Sequence, residues 1–98
     1  MLNIVNKSPL DRNTLQSCFD AGTGGAILLI EDGVYAATRG NAFESKIKGA
    51  QGTFKVYALG PDLDARGVGD RVMDGVTVVD DAGFVDLVAE FKTCQSWL

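Results

Sequence analysis

Of the two cysteines, Cys18 and Cys94, Cys18 is the one residue of this sequence whose chemistry could be transferable sulfur. A thiolate can attack a persulfide and pass the terminal sulfur on, so Cys18 is a candidate sulfur acceptor. The competing reading is a core thiol, because cysteine is among the most buried residue types and Phe19 follows directly. Asp11 and Asp20 would raise the thiol's pKa further if they lay close. Cys94 sits in a terminal segment where accessibility is expected, with Lys92 as its one nearby cation in sequence. The two cysteines are far apart and lack Cys-x-x-Cys spacing, which argues against a zinc ribbon or a thioredoxin-type dithiol. The chain contains no histidine. That removes the commonest metal ligand, the usual general base, and any Ser-His or Cys-His pair.

The remaining reactive groups are carboxylates. Glu31, Asp32, Asp62, Asp80 and Asp81 fall where strands are expected to end, the position at which α/β folds bind ligands. As hard oxygen donors they suit Mg²⁺, yet each also lies near a helix start, where capping and first-turn acids stabilise the helix without any ligand. Capping is the preferred reading, and no metal or cofactor is expected. Gly22, Gly24 and Gly25 precede a strand instead of following one, so they make a turn and not a phosphate loop. Asp62, Asp64 and Arg66 read as a solvated charged turn, with partner docking as the second reading.

Positioning these groups requires a scaffold, and the patterning describes one. A first strand opens at Leu2, Ile4 and Val5. Ser8-Pro9 then has the form of a helix start, with serine as N-cap and proline at the first helical position, and this helix runs to Ala21 before Gly22. Leu15, Cys18, Phe19 and Gly22 share one face of it at i, i+3, i+4 and i+7. The run 26–30 is continuously apolar, as in a parallel strand covered on both sides. Helical segments follow at Val34 to Ala37 and Ala42 to Lys48. Strands are expected at Phe54 to Leu59 and Val76 to Val79, with one helical turn at Asp62 to Arg66 between them. Asp80-Asp81 caps a last helix with Phe84, Leu87, Val88 and Phe91 on a common face, and residues 94–98 supply a short fifth strand. Strands alternating with helices imply an α/β, three-layer α/β/α domain over residues 1–98, with a mainly parallel sheet of four to five strands.

The 98 residues suffice for one core, and composition is that of a globular chain, with 46% hydrophobic and 22% charged residues. A net charge of −4 with scattered basic residues disfavours direct nucleic-acid binding. No apolar run is long enough for a membrane span, and no secretory signal pattern opens the chain, so a cytoplasmic location is expected.

In this order and spacing, Val5-Asn6-Lys7-Ser8-Pro9, the stretch 28–37, the stretch 55–63 with Ala65-Arg66-Gly67, the stretch 83–88 and the ending Gln95-Ser96-Trp97-Leu98 together resemble the DsrH/TusB family of sulfur-relay subunits along essentially the whole chain. The resemblance implies one subunit of a heterohexamer built with two homologous small chains, DsrE/TusD-like and DsrF/TusC-like. A downstream protein would accept the sulfur. One branch of the family serves wobble-uridine 2-thiolation of tRNA, and the other serves oxidation of stored sulfur. In both, the principal sulfur-accepting cysteine is generally on another subunit, which leaves Cys18 as a secondary acceptor. A cysteine in the first helix, like the Trp97-Leu98 ending, is similar to the sulfur-oxidising DsrH branch. The chain departs from the family at Asn3, where histidine is frequent, and at Asp81, where tyrosine is frequent, so no role is carried over to those positions. Two further functions compete: a purely structural interaction subunit docking through Val34-Tyr35-Ala36-Ala37, and a Mg²⁺-dependent module using Glu31, Asp32, Asp62 and Asp80.

Overall fold

The computed structural model describes residues 1–22, 24–91 and 93–97. Five strands form where the apolar runs lie: β1 (Leu2–Val5), β2 (Gly25–Leu29), β3 (Phe54–Leu59), β4 (Val76–Val79) and β5 (Cys94–Trp97). They make one sheet in the order β4-β3-β2-β1-β5, with every pairing parallel. Four α-helices join them: α1 (Thr14–Ala21), α2 (Glu44–Ala50), α3 (Gly60–Ala65) and α4 (Asp81–Glu90). Two 3₁₀ segments, Glu31–Ala37 and Gly69–Arg71, complete the connections.

The layering follows from handedness. From β1 to β4 the chain steps along the sheet in one direction, then returns to place β5 on the far side of β1. Right-handed crossovers put the forward connections on one face and the returning one on the other. Accordingly Leu15 and Cys18 of α1, Ile47 of α2 and Leu63 of α3 join Val5, Ile27, Leu29, Val56 and Ala58 in one core cluster. The opposite face is smaller: Leu87 of α4, flanked by Phe84 and Phe91, packs with Leu2, Ala26 and Leu28. β2 is central and its residues Ala26 to Leu29 are wholly buried, which explains its unbroken apolar run. Helices therefore lie on both faces of the sheet, as the alternation of elements implies.

Three local expectations change. The first helix begins at Thr14 and not at Ser8-Pro9. Ser8 closes a separate turn, its carbonyl accepting from Asp11 N (3.0 Å) and Arg12 N (3.1 Å) and its hydroxyl from Leu10 N (3.2 Å). A serine and proline that prescribe a helix start locally also fit such a turn, and only the path to the core selects between them. Second, the helical segment around Val34 is a 3₁₀ segment that starts earlier, at Glu31, whose φ of 49° is left-handed. It lies so close to β1 that a Cβ on Gly33 would come within 2.3 Å of the Val5 carbonyl. Third, Val34, Ala36 and Ala37 are fully buried in the chain's own core and Tyr35 is half-buried, so this stretch is not a free docking surface. The helix end expected at Gly22 is present, with that residue left-handed at φ 62° and its N–H bonded to the Phe19 carbonyl. Thr23 of the following turn, Lys92 and Leu98 lie outside the described residues.

Candidate functional site

α1 sets the position of Cys18. Its buried face carries Leu15 and Cys18, both with no solvent exposure, while Phe19 at the edge makes a tilted ring pair with Phe54 of β3, centroids 6.1 Å apart. Burial pushes the Cys18 thiol up to about 11 from an ordinary 9.0. Desolvation is the cause, since an apolar surrounding disfavours the thiolate. The neighbouring acids take no part: Asp20 points outward, accepting from Gln16 Nε2 at 2.9 Å, and Asp11 is exposed. The sequence placed Cys18 on the buried stripe correctly, and the structure shows how far inside it lies.

Cys94 is exposed and free, as Cys18 is free. Its register partner is Leu2, which belongs to the core under α4, whereas Cys18 belongs to the core on the other face. The two thiols thus belong to opposite faces of the sheet. Lys92, the cation nearest Cys94 in sequence, lies outside the described residues.

Three of the acids at the strand ends have structural partners. Asp80 caps α4, its Oδ1 accepting from Gly83 N at 2.8 Å. Asp62 Oδ2 accepts the N–H of the left-handed Glu31 at 2.6 Å. Asp32 pairs with Arg66 Nε at 2.9 Å and so ties the 3₁₀ segment to the end of α3. Among the described residues no three Asp, Glu or Cys side chains converge in a way that could hold a metal ion. Glu31, Asp32, Asp62 and Asp80 are therefore not one site, and the charged turn of Asp62, Asp64 and Arg66 includes a tertiary strut.

Two features were invisible in the sequence. Asn3 is fully buried, donating from Nδ2 to the Ala26 carbonyl (3.1 Å) and accepting at Oδ1 from Trp97 Nε1 (3.1 Å). This contact joins β5 to the centre of the sheet across almost the whole chain. The second is an open hollow of about 600 Å³ at the carboxyl ends of β3 and β4, lined by Gly60, Pro61, Asp64, Val78, Val79, Asp80 and Gly83. Clefts at this end of a parallel sheet are where such folds bind partners and ligands. No helix among the described residues is long and apolar enough to cross a membrane.

A parallel five-stranded sheet with helices on both faces makes this a small three-layer α/β/α domain. The family model described as DsrH like protein matches residues 7–94, and the chain belongs to the DsrH/TusB family of sulfur-relay subunits. Protein TusB of Salmonella dublin and of Salmonella arizonae are each 42% identical to it over 74 residues, which is 76% of each chain. The fold is shared with a protein of unknown function from Methanobacterium thermoautotrophicum (TM-score 0.79, 18% identity, 97% of this chain and 96% of that one). It is shared equally with the ychN protein of E. coli (TM-score 0.81, 15% identity, 97% of each chain).

Proposed function

We propose that this chain is the auxiliary, DsrH-like subunit of a cytoplasmic sulfur-relay heterohexamer, assembled with DsrE/TusD-like and DsrF/TusC-like chains, in which a partner's cysteine carries most of the sulfur. The burial of Cys18 supports this reading most directly. A sulfur carrier must be reachable and must ionise, and a thiol with no exposure and a pKa near 11 does neither in the isolated chain. Cys18 then packs the core, and takes a secondary share of the sulfur only if assembly opens α1. The test is co-expression with the two homologous chains, sizing, and subunit-resolved persulfide mass analysis after loading with a sulfane-sulfur donor. The three chains should elute together, persulfide should accumulate on a partner, and Cys18→Ser should leave assembly intact while lowering transfer only in part. Separate elution at micromolar concentration would refute the assembly. Ready persulfidation of Cys18 in the isolated chain, or loss of all transfer in Cys18→Ser, would make it the primary carrier.

For the destination of the sulfur, the cysteine in α1 supports the sulfur-oxidising branch. The identity to TusB proteins supports a second reading, delivery to tRNA wobble uridine. Deletion of the gene followed by measurement of 2-thiouridine in tRNA separates them. An unchanged 2-thiouridine level with impaired oxidation of stored sulfur is the outcome expected of the first.

A further inference from the structure

The charge of this chain is unevenly placed. Residues 60–91 hold eight of its thirteen carboxylates and two of its nine cations, a net −6, which leaves +2 for the rest. In the fold those residues form α3, β4 and α4, around the free edge of the sheet. The two cations do not neutralise the hollow at the end of β4. Arg66 is held by Asp32, and Arg71 lies in the 3₁₀ segment where Arg39 Nη2 already reaches the Asp70 carbonyl at 3.0 Å. Among the described residues neither Asp64 nor Asp80, the two acids lining the hollow, has an ion-pair partner.

β4 itself is an unusual edge. Among the described residues it pairs only with β3, leaving its outer backbone groups without a strand, and Val78 on it is 49% exposed. An apolar edge is a template for strand addition unless something blocks it. Here the block is charge. Two copies of this edge would bring Asp74, Asp80 and Asp81 of one chain against the same residues of the other, and an anionic lipid or nucleic acid would meet the same field. A cationic segment meets the opposite.

We propose that the β4 edge and the hollow at its carboxyl end are a docking surface for an extended, basic segment of a partner protein. The segment adds a strand beside β4, covers Val78, and lays one lysine or arginine stem along Pro61, Val78 and Val79 with its charged head at Asp64 and Asp80. Gly60 and Gly83 pack directly against the two valines of this seat: a Cβ on Gly60 would lie 3.2 Å from Val78 Cγ1, and one on Gly83 2.9 Å from Val79 Cβ. The inference stands whether or not either thiol carries sulfur.

The probe is a synthetic eight-residue peptide of alternating lysine and valine, titrated into the full ¹⁵N-labelled chain and followed by amide chemical shifts. Shifts should concentrate in β4 and the first turns of α3 and α4, and the affinity should fall as salt rises. The double variant Asp64→Asn, Asp80→Asn keeps an N-cap-competent residue at the start of α4 and should bind about five- to tenfold more weakly. Val78→Lys should abolish binding while leaving the remaining spectrum in place. Four results would overturn the proposal: equal binding of a glutamate–valine peptide, shifts centred away from β4, the same shifts at the same concentration with lysine amide alone, or no shifts at millimolar peptide. A concentration-dependent dimer of the free chain that Val78→Lys dissociates would also overturn it, by giving the edge to a second copy.

Discussion

Removing Cys94 by substitution with serine leaves Cys18 as the one thiol and makes its burial measurable. At pH 8 an unfolded cysteine with a pKa of 9.0 is about one-tenth thiolate, whereas a pKa of about 11 leaves about one part in a thousand. The ionisation difference alone therefore slows reaction with a thiol reagent about a hundredfold. Exclusion of the reagent from a fully buried site adds to this, because labelling must wait for local or global opening. The assay compares labelling by a disulfide reagent such as dithiobis(nitrobenzoate) in buffer with that of the same chain unfolded in guanidinium. A folded-state rate more than about a hundredfold lower is expected. The same burial makes stability depend on alkali. The folded pKa is raised, so the contribution is complete below about pH 9 and is lost as pH climbs towards about 11, by at most about 3 kcal/mol, while between pH 6 and 8 this group makes no difference. Folded-state labelling within tenfold of the unfolded rate, with no loss of stability between pH 9 and 11, would refute the assignment of Cys18 to the core.

Trp97→Phe keeps an aromatic ring but deprives buried Asn3 Oδ1 of its donor, and urea unfolding should show a loss of about 1–3 kcal/mol. Because Asn3 and Trp97 form one pair, Asn3→Leu combined with Trp97→Phe should cost less than the sum of the two single changes in a double-mutant cycle. Asp80→Ala removes the cap of α4 and should cost about 1 kcal/mol, with Asp80→Asn near neutral, as read from thermal melts. Gly33→Ala forces a Cβ to within 2.3 Å of the Val5 carbonyl and should destabilise the chain by about 3 kcal/mol or more, visible as a collapse in soluble yield and a lowered midpoint in urea.

Much of the scaffold is written locally. β3 and β4 run over the residues that apolar patterning marks, α1 ends at the glycine free to turn left-handed, and α4 starts at the aspartate that caps it. Each of these depends on neighbours within a turn or a strand length, where hydrophobic period and capping chemistry act directly. The helical period likewise placed Cys18 on the inner stripe of α1, and the residue types showed that no histidine-based chemistry was available.

The rest depended on contacts between distant segments. Whether Ser8-Pro9 opens the helix or closes a turn ahead of it depends on where α1 must meet the sheet, and the same local motif satisfies its hydrogen bonds either way. Tyr35 and its neighbours have the composition of an exposed docking strip, yet the 3₁₀ segment folds over β1 and turns them inward. The partnership of Asn3 with Trp97 and the gathering of Asp64, Val78 and Asp80 around one hollow arise from strand order. Right-handed crossovers carry the chain out to β4 and back to β5. Local sequence marks the ends of each element, but only the packed sheet decides which of those ends become neighbours.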